Sequence, residues 1–187
     1  MSDALEQLEE NLLPEVGKVV AMVIYGLDRR VLAIKRPDNE EWEPGKYSPP
    51  VGHVEETDIK NLLFCKDHDI LNGNKYDLYY LAGQRELGEE VGRTPSQVSL
   101  KYIGQYSDHE TGLNVIVLGG YMVSGPKRPS LYPSAEASEA KWFTPQRVRK
   151  LAERGRLVGI KAYEMAFSNP LIQGAATGVS YLAKRSK

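Results

Sequence analysis

The chain has 187 residues, 41% of them hydrophobic and 26% charged, and carries a net charge of −1. Those proportions suit one globular domain with a proper core, and the near-zero charge argues against a nucleic-acid surface built on bulk electrostatics. No apolar run approaches the roughly 20 residues that span a membrane, residues 1–10 lack a signal-peptide pattern, and the single cysteine, Cys65, allows no internal disulfide, so a cytoplasmic location is expected.

Residues 2–13 read as a short helix ended by Pro14. Residues 17–25 are apolar and β-branched, as a buried strand should be. Asp28-Arg29-Arg30 turns the chain into a second strand over 31–36. Residues 37–50 read as irregular, with Pro44-Gly45 as a turn signal. A mixed stretch over 56–76 holds an apolar patch (Leu62, Leu63, Phe64) and the turn signal Asn72-Gly73-Asn74. A helix over 77–91 follows, with Gly92 as its C-cap and Pro95 beyond. Strands are expected over 99–107 and 113–124, a Pro-rich loop over 125–133, and a short strand over 141–143. Helices fit residues 145–154, 161–167 and 170–184. No repeat or linker divides the chain, and a mixed sheet between helices is the expected architecture.

The helix over 77–91 carries the chemistry. At about 100° per residue, Glu86, Glu89 and Glu90 fall within about a third of its circumference, where like charges repel. A hard cation such as Mg²⁺ or Mn²⁺, which takes oxygen ligands, would turn that repulsion into binding energy. Arg85 stands four residues before Glu89, close enough to hold a carboxylate in place. On the carboxylates alone, a solvated acidic face is the competing explanation.

Arg85-Glu86-Leu87-Gly88-Glu89-Glu90-Val91-Gly92 resembles the second half of the signature of the Nudix hydrolases, a match expected by chance in fewer than about one chain in ten thousand. The first half of that signature, Gly-x5-Glu-x7, is altered. Counting back eight from Arg85 lands on Asp77 where the family has Glu. Pro49-Pro50-Val51-Gly52-His53-Val54-Glu55 is similar to the family's glycine turn, with Val51 in place of the first Gly. Between Gly52 and Asp77 lie 24 residues where the signature has five, so an insertion of about 19 is expected. Val31 to Arg36, and Glu136-Ala137-Ser138-Glu139-Ala140-Lys141-Trp142-Phe143, resemble further family segments.

The resemblance implies a Nudix-type α/β/α sandwich. It implies a single domain over 1–187, with a core over 17–154, an insertion over 56–76 and C-terminal helices over 161–184. The implied activity is metal-dependent hydrolysis of a diphosphate linkage in a small-molecule, nucleoside-diphosphate-linked or related substrate, by attack of metal-activated water on phosphorus. Glu86, Glu89, Glu90 and the Val51 carbonyl are the implied ligands of Mg²⁺ or Mn²⁺, with Arg85 orienting the glutamates. Glu136 and Glu139 are candidates for the general base, with Glu110 behind them. Arg36, Lys46, His53 and Glu139 are candidates for substrate contact. Asp77 is expected to serve the helix N-terminus before any metal. The insertion is expected to cover the site or to pack against a second subunit in a homodimer, and Tyr76, Tyr79 and Tyr80 to pack rather than bind. Two alternatives stand beside this reading. One is a non-hydrolytic Nudix fold that binds a nucleotide or a protein. The other is an isopentenyl-diphosphate-isomerase-like enzyme, for which Cys65 lacks the motif context.

Overall fold

A computed structural model describes residues 3–26, 28–67, 72–92, 98–122, 137–170 and 172. Strand β1 (Val19–Tyr25) is buried along its whole length, as its β-branched and aromatic residues suit. Successive side chains of a strand point to opposite faces, so β1 feeds two cores. Val20, Met22 and Ile24 belong to one, with Leu62, Leu78 and Leu87. Val19, Ala21, Val23 and Tyr25 belong to the other, with Val148, Leu151 and Tyr163. Helices α1 (Asp3–Leu12), α2 (Glu56–Asp67) and α3 (Lys75–Val91) cover the first face. Helices α4 (Pro145–Glu153) and α5 (Ile160–Ser168) cover the second. The result is an α/β/α sandwich around a mixed sheet.

Within the sheet, β1 runs parallel to β6 (Asn114–Met122) from Val19↔Val115 to Tyr25↔Tyr121. Strand β6 is antiparallel to β5 (Val98–Ser107), and β2 (Val31–Lys35) is antiparallel to β7 (Glu139–Phe143). Strands β1 and β2 meet at Tyr25↔Val31 and then splay apart. Two short strands fill the wedge: β3 (Tyr47–Ser48) against β2, and β4 (Val51–His53) against β1. Pro49 and Pro50 bridge them, and the Met22 N–H donates to the Pro50 carbonyl at 2.9 Å. Proline gives a sheet an acceptor but no donor, which suits such a splay. The wedge delivers Gly52 and His53 to the face of α3.

The N-terminus of α3 is fixed by a reciprocal capping box. The Asn74 side chain accepts from the Tyr76 and Asp77 N–H groups at 2.8 and 3.2 Å, and Asp77 accepts from the Asn74 N–H. Gly92 closes the helix in the left-handed region at φ 65°, where glycine carries no Cβ penalty. Replacing Asn74 by alanine is expected to cost about 1 kcal/mol, measured by urea denaturation. A change below a few tenths of that would show the cap to be dispensable.

Two expectations need correction. Residues 37–50, read as irregular, contain β3 because their backbone completes the ladder of the splayed β2. Residues 56–67, expected as part of a segment that could cover the site, form α2 and bury Ile59, Leu62 and Leu63 in the first core. A helix so buried is part of the scaffold and does not cover the site. The expected loop over 125–133 lies outside the described residues, as does the expected helix over 170–184 apart from Pro170 and Ile172.

Candidate active site

Arg85, on the third turn of α3, is the hub of the site. Its guanidinium engages Asp58 twice, Nε to Oδ1 and Nη2 to Oδ2, both at 3.1 Å. Nη2 also donates to the His53 carbonyl at 2.7 Å, and Nη1 to Glu86 at 2.8 Å and Glu89 at 3.0 Å. One planar fork therefore ties α2, β4 and α3 together, a task for which five fixed donors suit arginine better than lysine. Burial opposes its charge, but the Asp58 hydrogen bonds and the charges of Glu86 and Asp58 outweigh this and raise its pKa. The guanidinium stays ionised at any working pH.

The three glutamates of α3 divide by depth. Glu89 is half exposed, whereas Glu86 and Glu90 are 6% and 4% exposed. Glu86 lies against Gly52 so closely that a Cβ on residue 52 would stand 1.7 Å from the Glu86 carboxyl carbon. Only glycine leaves that space. Gly52→Ala is thus expected to push the Glu86 carboxylate aside and lower kcat by about 10²-fold, the effect of a misplacement of about 1 Å. Its thermal midpoint should fall little, because the displaced atoms are the end of a flexible side chain. Unchanged kcat would show that the position of Glu86 does not matter. Complete burial, with the charge of Glu90, holds the Tyr163 phenol well above its ordinary pKa. The Tyr163 hydroxyl is spent on the Leu32 carbonyl at 2.8 Å.

Among the described residues no three His, Cys, Asp or Glu side chains are grouped to hold a metal ion as they stand, with Glu86 and Glu89 both turned onto Arg85. The donor chemistry nevertheless fits a hard divalent cation. The set is all oxygen, and the Arg85 hydrogen bonds use one oxygen each of Glu86 and Glu89.

Beside this cluster opens a cavity of about 520 Å³. Val51, Gly52, His53 and Glu90 form its end at α3, and Arg36, Glu40 and Trp42 a second wall. The β5–β6 hairpin supplies Tyr106, Asp108, Thr111 and Leu113.

A model of the NUDIX domain matches residues 16–163. The chain belongs to the Nudix family. No curated protein matches it. Among solved structures it is similar to a Nudix hydrolase from Alicyclobacillus acidocaldarius, at 14% identity and TM-score 0.61 over 80% of this chain and 89% of that one. It is also similar to DR0079 from Deinococcus radiodurans, at 16% identity and TM-score 0.54 over 80% of each chain. A third is the MutT protein from Methanosarcina mazei Go1, at 19% identity and TM-score 0.51 over 80% of this chain and 89% of that one. These likenesses show the fold. Family membership gives the activity class, Nudix pyrophosphohydrolase, in a family that generally uses divalent metals.

The Nudix signature now falls into place differently from its sequence reading. Asp58, 1% exposed, follows Gly52 after five intervening residues and pairs with Arg85, so it occupies the place of the first signature Glu. The extra residues lie between Asp58 and Arg85, not between the glycine turn and the first acid. Asp77, found by counting back from Arg85, caps α3 and is no part of the cluster. The Gly52-x5-Asp58 spacing was the available signal, hidden because Asp replaces Glu.

Other candidates separate. His53 lines the cavity and gives its carbonyl to Arg85. Arg36 lines the cavity too, but donates to the Trp42 carbonyl and Glu40. Lys46 is outside the lining, paired with Glu43. Glu139 is also outside, because β7 runs along the outer edge of β2 and its carboxylate takes the Tyr47 hydroxyl and the Lys141 ammonium, which lower its pKa. Glu110 sits in the hairpin turn, its N–H on Asp108. Glu136 lies outside the described residues. Tyr79 is buried and Tyr76 rests 4.8 Å from Tyr102, both away from the cavity.

Proposed function

We propose that the chain is a divalent-metal-dependent hydrolase that cleaves the diphosphate linkage of a nucleoside-diphosphate-linked or related small molecule. The observation that carries this reading is the Arg85 hub, which gathers Glu86 and Glu89 beside the β4 turn, with Glu90 one turn on at the wall of a cavity of about 520 Å³. Glu86, Glu89, Glu90 and the Val51 carbonyl would hold Mg²⁺ or Mn²⁺. When bound, such a cation neutralises diphosphate charge, polarises a P–O bond and lowers the pKa of a water. Arg85 holds two of the carboxylates in one orientation, and Gly52 leaves Glu86 the room to stand there. The apolar strands behind the cavity exclude bulk water from the organic end of the substrate. For the general base, Glu136 is the candidate retained, since Glu139 is committed to Tyr47 and Lys141. A reducing cytoplasm and a single domain over 1–187 complete the reading, supported by the lone cysteine and the absence of a linker.

Titration with Mn²⁺ by calorimetry tests the ligand assignment. The wild type is expected to bind, and Glu86→Gln/Glu90→Gln to lose that binding while keeping its thermal midpoint. Equal binding by the double variant would overturn the assignment.

A further inference from the structure

Trp42 is 47% exposed, yet its position is closely held. The Arg36 guanidinium lies 4.9 Å over its ring, Arg36 Nε donates to the Trp42 carbonyl at 2.9 Å, and Nη2 is anchored on Glu40 at 2.7 Å. The backbone beneath is pinned as well, by the Arg36 N–H on the Lys46 carbonyl at 2.9 Å. An exposed indole held by a cation–π contact from an arginine that is itself hydrogen-bonded to the Trp42 backbone and to Glu40 is a pre-organised flat apolar surface. It forms one wall of the cavity, and the hairpin brings Tyr106 to the same space.

The charges of the cavity point the same way. Arg36 is the one Lys or Arg among the described lining residues, and its Nε and Nη2 already donate to the Trp42 carbonyl and Glu40, whereas Glu40, Glu90 and Asp108 contribute carboxylates. A further phosphate would meet repulsion there. What fits beyond the diphosphate is an uncharged, flat ring with a π-face for the indole.

We infer that Trp42 is the stacking platform for an uncharged aromatic ring of the substrate, and that Arg36 is a positioning residue that holds the indole, not a phosphate contact. This rests on the reading that the cavity receives the organic end of a diphosphate substrate.

The test uses nucleosides, which carry the ring without phosphate and need neither metal nor turnover. Adenosine, guanosine, cytidine, uridine and their 5′-monophosphates are titrated by calorimetry into the full chain, wild type, Trp42→Ala, Trp42→Phe and Arg36→Gln, with thermal midpoints as a folding control. At least one nucleoside is expected to bind the wild type. Trp42→Ala should weaken that nucleoside and its monophosphate alike, by about 5- to 100-fold, the range of a lost base–aromatic stack. Trp42→Phe should recover most of the loss, and Arg36→Gln should weaken the nucleoside as well as the monophosphate. If no nucleoside binds, or if Trp42→Ala binds as well as wild type, the platform is wrong. If Arg36→Gln weakens only the monophosphate, Arg36 is a phosphate contact and its positioning role is wrong. A failure of the hydrolase reading shows separately, as absent product release.

Discussion

Replacing Glu90 by glutamine is expected to lower kcat by about 10²–10⁴-fold, the range for loss of a metal-linked or acid–base function. Glu90 is buried, lines the cavity and stands one turn from Glu86 on the same face of α3. Glutamine preserves its shape and removes its charge, so the local packing should survive. A buried carboxylate opposed by neighbouring carboxylates adds little to stability, and its neutralisation often improves it. The variant should therefore melt at or above the wild-type midpoint while turning over slowly. Steady-state kinetics and calorimetric melting, on the same preparation, read both quantities. Wild-type turnover would make Glu90 a packing residue, and a large fall in midpoint would mean that its charge holds the fold.

Asp58→Ala is expected to act in the opposite sense, with stability lost first. Its carboxylate is almost fully buried, accepts two bonds from Arg85 and one from the Glu55 N–H at 2.9 Å. Removing one partner of a buried pair leaves the other charge undercompensated, typically at 3–5 kcal/mol. Here Arg85 keeps Glu86, Glu89 and the His53 carbonyl, which reduces the expected loss to about 2–4 kcal/mol. Turnover should fall as well, because Arg85 then lacks the anchor that orients Glu86 and Glu89. Urea denaturation measures the first effect and kinetics at low temperature the second. Asp58→Glu, which restores the residue of the Nudix signature, keeps the charge but forces an extra methylene into a packed site, at about 1–3 kcal/mol. A loss below about 1 kcal/mol in Asp58→Ala would show that the hub stands without it.

Much of this arrangement was legible in the residues. The α3 glutamates, Arg85 and the Gly92 cap follow from helical spacing, and β1 from an unbroken apolar run. Helix α2 was not legible, because a stretch containing Lys60, Lys66 and Asn61, with Ile59, Leu62 and Leu63 as its buried apolar residues, shows too narrow a stripe to stand out. Asp58 was hidden for a related reason, since the chain between it and Arg85 is long and only the fold brings them together. Lys46 and Glu139 show the limit of reading charges one by one. Which carboxylate meets which cation depends on the pairing of β2 with β3 and β7, and no local spacing records that.

The central claim is that the α3 carboxylates and the β4 turn form a hydrolytic centre. Its most direct test is phosphate and pyrophosphate release from a panel of nucleoside-diphosphate-linked compounds, with Mg²⁺ or Mn²⁺, with chelator, and with Glu90→Gln. Hydrolysis of at least one compound, lost with chelator and reduced at least about a hundredfold in the variant, is the predicted result. Hydrolysis that persists undiminished in Glu90→Gln, or no release from any compound despite Mn²⁺ binding, would contradict it.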